Sequence, residues 1–229
     1  GSSTHIPWDP EFDEEALSLY RELAILRMRL FPYIYTAAVK AATEGVPMVR
    51  GLYLDHPEDE NASEDFEYLF GDAFLVAPMF EGGDVREVYL PEGTWIDFFT
   101  HEGLDGPGTF VREAPLERFP LFVRSGSLIP MMEAVDTLAE AAEPSVSSFS
   151  TMDPLLLSCF PRGASMATLY DGTRASCAEV KGGGLDLSAA SGEKRSYIFD
   201  ILLAHTEKND TFIPSSVEGT ILGPIPELE

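Results

Sequence analysis

The spacing of apolar positions changes from helical to strand-like near residue 48. Before that point Ala16, Leu19, Tyr20, Leu23, Leu26 and Leu30 recur three and four residues apart, which puts them on one face of a helix. Asp9 and Pro10 supply a cap and a first-turn proline. Glu11, Asp13, Glu14 and Glu15 put negative charge where a helix start favours it. Pro32 has no N–H and crowds the preceding turn, which predicts an interruption near Leu30 and Phe31. A second helical run then carries Ile34, Ala37, Ala38, Ala41 and Ala42 and stops at Gly45 and Pro47.

From Met48 the pattern is that of strands. "MVRGLYLD" reads as a strand, "HPEDENASEDFE" as an acidic surface loop, and "AFLVAP" as a short buried strand. "REVYLP", "TWIDFFT", "GTFVREA" and "LFVRSGSLIP" follow, separated by the turn signals "EGGD", "PEG" and "GLDGPG". "MMEAVDTLAEAAEPSVSSFSTMD" breaks the pattern and reads as a linker. Strands resume in "LLLSCF", "ATLYDG", "GLDLSA" and "RSYIFDILLAH", before a tail rich in proline and glycine. The expected architecture is mainly β: a helical lead-in over residues 1–46, a first β unit over 47–132, and a linker with a second β unit over 133–229.

Composition narrows the partners. The chain has 229 residues and is 45% hydrophobic, enough for a core. Its net charge of −24 repels nucleic-acid phosphates and anionic membrane surfaces. No apolar run approaches the roughly 20 residues of a membrane helix. No signal segment opens the chain, and there are two cysteines, Cys159 and Cys177, which favours the cytoplasm for a chain whose own start is visible. The cysteines match no metal-ligand spacing and read as buried thiols or as a disulfide between neighbouring strands.

Candidate chemistry is sparse. His5, His56, His101 and His205 form no metal pair on a helix face, no serine sits in a G-x-S-x-G elbow, and "KGGGLD" lacks the residues of a phosphate loop. Glycoside cleavage needs two carboxylates about 5 to 10 Å apart. Asp72 in "YLFGDAFLVAPMF" is a candidate, but its place beside Gly71 reads as a turn before a buried strand. Asp171 in "LYDG" reads as a hairpin. Trp95 lies in a strand pattern and reads as core. Trp8 precedes the first helix, in a position compatible with a site.

Four segments in order carry a resemblance. "LRMRLFPYIYTAAVKAATEGVPMVRGLYLDHPED" resembles the end of the catalytic barrel in glycoside hydrolase family 31, which holds retaining α-glucosidases and α-xylosidases. "EYLFGDAFLVAPMFEGGDVREVYLPEGTWIDFFT" looks like the family's next stretch, with its R-x-x-Y-L-P segment and tryptophan strand. "APLERFPLFVRSGSLIP" is similar to the close of the first C-terminal β domain, and "MDPLLLSCFPRGASMATLYDG" to the start of the second. The resemblance implies two β-sandwich-like C-terminal domains preceded by the last helices of a truncated (β/α)8 barrel. It implies that both catalytic aspartates lie upstream, so that no catalytic residue is expected here, and it places His5 and Trp8 at the rim of that site as substrate contacts. It implies no metal and no organic cofactor. The expected partners are the remainder of the barrel and, for the parent enzyme, an oligosaccharide; a homo-oligomer stays open. The alternative is a free-standing carbohydrate-binding β-sandwich module.

Overall fold

The computed structural model of the chain describes residues 14–63, 66–80, 82–115, 117–135, 155–160, 164–170, 172–180, 184–190 and 197–201. Two helices open it, α1 (Glu14–Arg29) and α2 (Phe31–Glu44). The break falls at Leu30, with Pro32 in the first turn of α2, where its missing N–H leaves no helical bond unmade. Gly45 closes α2 in the left-handed conformation, φ 76°, and donates its N–H to Ala41 O. The expected Asp9–Pro10 start of α1 lies outside the described residues.

The rest is mainly β. Strands β1 (Val49–Gly51), β2 (Tyr68–Phe70), β3 (Phe74–Val76), β4 (Val85–Asp97), β5 (Gly103–Glu113) and β6 (Leu121–Arg124) form one antiparallel sheet, in the order β1-β2-β3-β6-β4-β5. "MVRGLYLD" is only partly a strand: after Gly51 the chain turns into a 3-10 helix, Leu52–Leu54. "TWIDFFT" likewise leaves the sheet at Asp97, whose Oδ1 accepts the N–H groups of Phe99 and Thr100 at 2.9 and 2.8 Å and folds the chain into a turn.

Alternation along the central strands explains why they read as continuous apolar runs. Successive side chains point to opposite faces of a sheet, and this sheet is covered on both. Phe74, Val76, Ile96, Leu121 and Val123 enter one core with Leu30 and Tyr33 from the helices and Ile129, Met131 and Phe160 from further along the chain. Leu75, Ala77, Trp95 and Phe122 enter the opposite core, closed by Leu52 and Ala62 of the intervening loop and by Val88 and Leu90 of β4. The β4–β5 ribbon, by contrast, shows alternating exposure along β5, as a half-solvated edge strand does.

Two three-stranded sheets complete the described chain. β7 (Leu128–Met131), β8 (Leu155–Cys159) and β12 (Tyr197–Ile201) order as β12-β8-β7. β7 runs antiparallel to β8, and β12 runs parallel to it. β9 (Ala164–Thr168), β10 (Arg174–Val180) and β11 (Gly184–Ala190) pair antiparallel in sequence. The hairpins expected at "LYDG" and "KGGG" are therefore present, although Asp171 itself is outside the described residues. Cys159 is a buried thiol. The side chain of Cys177 is outside the described residues.

Candidate functional site

The Asp72 turn joins helix to sheet. Gly71 has φ 60°, a left-handed conformation, and a side chain there would collide with the Tyr33 ring. That close approach lets the Tyr33 hydroxyl donate to Phe70 O at 2.6 Å and accept from Ala73 N–H at 3.1 Å. Burial raises the Tyr33 phenol well above its usual range and keeps it neutral. The ring meets Phe70 and Phe74 edge-on, with centroids 5.7 and 5.1 Å away.

Charges finish the junction. Lys40 of α2 donates to Asp72 Oδ2 at 2.5 Å, and Arg50 of β1 approaches Asp72 Oδ1 at 3.4 Å. Arg50 is buried and grips Asp55 with two bonds, Nε–Oδ1 at 2.6 Å and Nη2–Oδ2 at 2.7 Å, while Nη1 donates to Gly71 O at 3.0 Å. The bonds from Arg50 hold the Asp55 carboxyl below the usual carboxylate range, and the same bonds raise Arg50 itself. A cavity of about 450 Å³ opens beside this cluster, between α2, the Asp72 turn and β9. The arrangement ties α2 to two turns of the sheet. It holds Asp55 as an ionised partner of a guanidinium rather than as a proton donor, so its chemistry is that of a clamp.

A second constellation lies at the other end of the sheet. Arg86 of β4 donates to Pro78 O, to Phe66 O at 3.0 Å, and faces Glu67 Oε1 at 3.5 Å. Its guanidinium carbon sits 5.0 Å from the centroid of Phe80, which stacks on Phe66 at 4.1 Å. Glu67 also accepts Tyr89 N–H at 2.9 Å. The Tyr89 hydroxyl bonds Asp59, and burial together with that carboxylate pushes the phenol up to about 12. A cavity of about 500 Å³ borders the two rings.

The residues singled out from sequence separate accordingly. Asp72 is a structural carboxylate with two cationic partners. Trp95 is fully buried, donates Nε1–H to Pro91 O at 2.9 Å and lies under Arg124 at 5.1 Å, so it presents no open face to a sugar. Burial and the Arg124 charge hold His56 below its usual range. His5 and Trp8 lie outside the described residues, as does His205. Among the described residues no group of three or more His, Cys, Asp or Glu side chains is placed to hold a metal ion. Sequence reading missed Arg50 and the Phe66–Phe80 pair. Arg50 meets Asp72, 22 residues away, only through the fold, and Phe66 stands at the end of a loop read as merely acidic.

Residues 45–129 match the glycosyl hydrolase family 31 C-terminal domain. An isomaltosyltransferase from Sporosarcina globispora is 36% identical over 130 residues, which is 55% of this chain and 12% of that protein. An α-xylosidase from Saccharolobus solfataricus is 35% identical over 129 residues, 55% of this chain and 17% of that protein. Among solved structures, a cycloalternan-forming enzyme from Listeria monocytogenes in complex with a pentasaccharide substrate superposes with a TM-score of 0.70 at 32% identity, over 82% of this chain and 18% of that one. A family 31 dextranase from Flavobacterium johnsoniae complexed with glucose gives 0.67 at 27% identity, over 88% and 27%. The chain thus spans less than a fifth of the length of these curated relatives.

Proposed function

The chain belongs to glycosyl hydrolase family 31 and carries its C-terminal domain, and from that premise we propose that it is the accessory β region of a retaining α-glycosidase acting on terminal α-linked glucose or xylose. In this reading residues 1–46 close the catalytic barrel, residues 47–132 and 133–229 form two β units that buttress it, and the catalytic aspartates belong to the barrel strands. His5 and Trp8 stand near the rim of the active site. The parent forms a covalent glycosyl-enzyme on one aspartate while the other carries the proton. The work of this region is to fix the last barrel helices to the sheet.

One observation carries the proposal: α1 is a 16-residue helix with no buried residue, yet it is apolar on more than one side. Tyr20 and Leu23 are about half exposed, and so is Ile25, which stands roughly 200° round the helix from Leu23. A helix that is apolar on opposing faces needs neighbours on both. The described residues give it one contact to the core, through Leu26, and a barrel supplies the rest.

The test is an assay of the purified chain on an aryl α-glucoside and an aryl α-xyloside, beside the parent enzyme. The chain is expected to show no turnover above background while the parent turns over one of the two. Turnover by the chain alone sinks the assignment.

A further inference from the structure

The Phe66–Phe80 pair is built as a platform. Phe80 stacks on Phe66 with ring centroids 4.1 Å apart and 27° between planes. Arg86 lies over Phe80, its guanidinium carbon 5.0 Å from the ring centroid. Phe66 and Phe80 are 55% and 53% exposed, so the stacked pair presents aromatic surface to solvent. Arg86 is itself largely buried and bonds the backbone of both ring-bearing segments, Pro78 O on one and Phe66 O on the other. A single cation thus fixes the two segments relative to each other, and the exposed aromatic pair is held before any ligand arrives.

The surroundings define the ligand. Asn61, Glu87, Tyr89 and Thr109 border the same cavity of about 500 Å³, within the size range of small-molecule sites. A flat apolar face edged by an amide, a carboxylate and hydroxyls suits a molecule with one C–H face and a rim of hydroxyls. The C–H bonds of a pyranose ring are slightly positive and meet the negative face of an aromatic ring favourably. The chain's net charge of −24 disfavours anionic ligands. We propose that the Arg86-braced Phe66–Phe80 pair is a saccharide-binding subsite of this chain, which holds a neutral glucan. The choice of glucan rests on the family 31 reading above; the geometry of the platform does not.

The experiment is affinity electrophoresis of the full chain in native gels containing soluble dextran, with isomaltotriose titrations followed by calorimetry. Dextran is expected to retard the chain, and Phe66→Ala to weaken isomaltotriose binding about tenfold, the loss of one well-placed ring contact. Phe66→Leu keeps the apolar bulk and removes the ring, and is expected to lose binding as well. Met166→Ser, at an 82% exposed position on β9 in another sheet, is expected to bind as the parent sequence does. Circular dichroism confirms that each variant is folded. Absence of retardation in the unaltered chain overturns the proposal, as does retention of binding in Phe66→Leu. Turnover of aryl glycosides by the chain would fell the accessory reading and leave the gel result standing, so the two failures are distinguishable.

Discussion

The two helices differ in what holds them, although their sequences promise the same thing. Both carry apolar residues at helical spacing. α2 enters the core through Tyr33, is anchored by the Lys40–Asp72 bond and ends in a left-handed glycine cap. α1 buries nothing and touches the core through Leu26. An amphipathic pattern reports that a helix wants a partner, and whether the partner is present is decided elsewhere.

That contrast can be broken hardest at the aromatic seat of α2. Phe74 is 1% exposed and meets Tyr33, Phe70 and Phe98. Phe74→Ala is expected to cost about 3–5 kcal/mol, read as a lower urea midpoint. Next comes the clamp. Arg50→Met strips Asp55 of two charge-assisted bonds and is expected to cost about 2 kcal/mol near neutral pH. The clamp also leaves a pH signature. Arg50 holds Asp55 below its ordinary 3.8, so the contribution of Asp55 is present above 3.8 and is lost as pH falls through the depressed folded value. Burial holds His56 below 6.5, so its contribution is likewise present above 6.5 and lost on acidification. Stability should therefore fall in two steps as pH drops, and Arg50→Met should shrink the lower step, leaving the part that Asp59 contributes through its Tyr89 bond, without moving the upper one. The smallest effect is expected at α1. Tyr20→Ser with Leu23→Ser should change stability by about 0.5 kcal/mol or less, while reducing self-association of the isolated chain in light scattering. A large loss of stability there would mean that α1 already has its partners.

What the sequence made legible follows the same division. Pro32 and Gly45 bound α2 because they act on their own backbone, and the structure places the helix between them. "AFLVAP" announced a buried strand because a sheet covered on both faces leaves no polar alternation. The Asp72 turn was legible for the same local reason. Its cations were not, because Lys40 and Arg50 reach it from 32 and 22 residues away. Two strand readings ran too long: Leu52–Leu54 coils into a 3-10 helix, and Asp97 caps a turn at Phe99, each a short-range polar or steric choice that apolar content does not register. The parallel pairing of β12 with β8 left no trace in spacing, since register between distant strands is a property of the fold. The platform was hidden for a related reason: Phe66 and Phe80 are isolated aromatics in sequence, and only the Arg86 bonds to both segments make them one surface.

Strand β7 follows β6 after only Ser125, Gly126 and Ser127, yet it hydrogen-bonds into another sheet, beside β8. Gly126 N–H donates to Phe160 O at 2.6 Å and Phe160 N–H to Ser127 O at 3.0 Å, so the crossing itself is stitched. In mechanical terms this is a short, stiff tether: a pull on β8 is borne within three residues by the six-stranded sheet. The six-stranded sheet and the β12-β8-β7 sheet should consequently yield together in force spectroscopy, in a single rupture, instead of peeling apart one after the other.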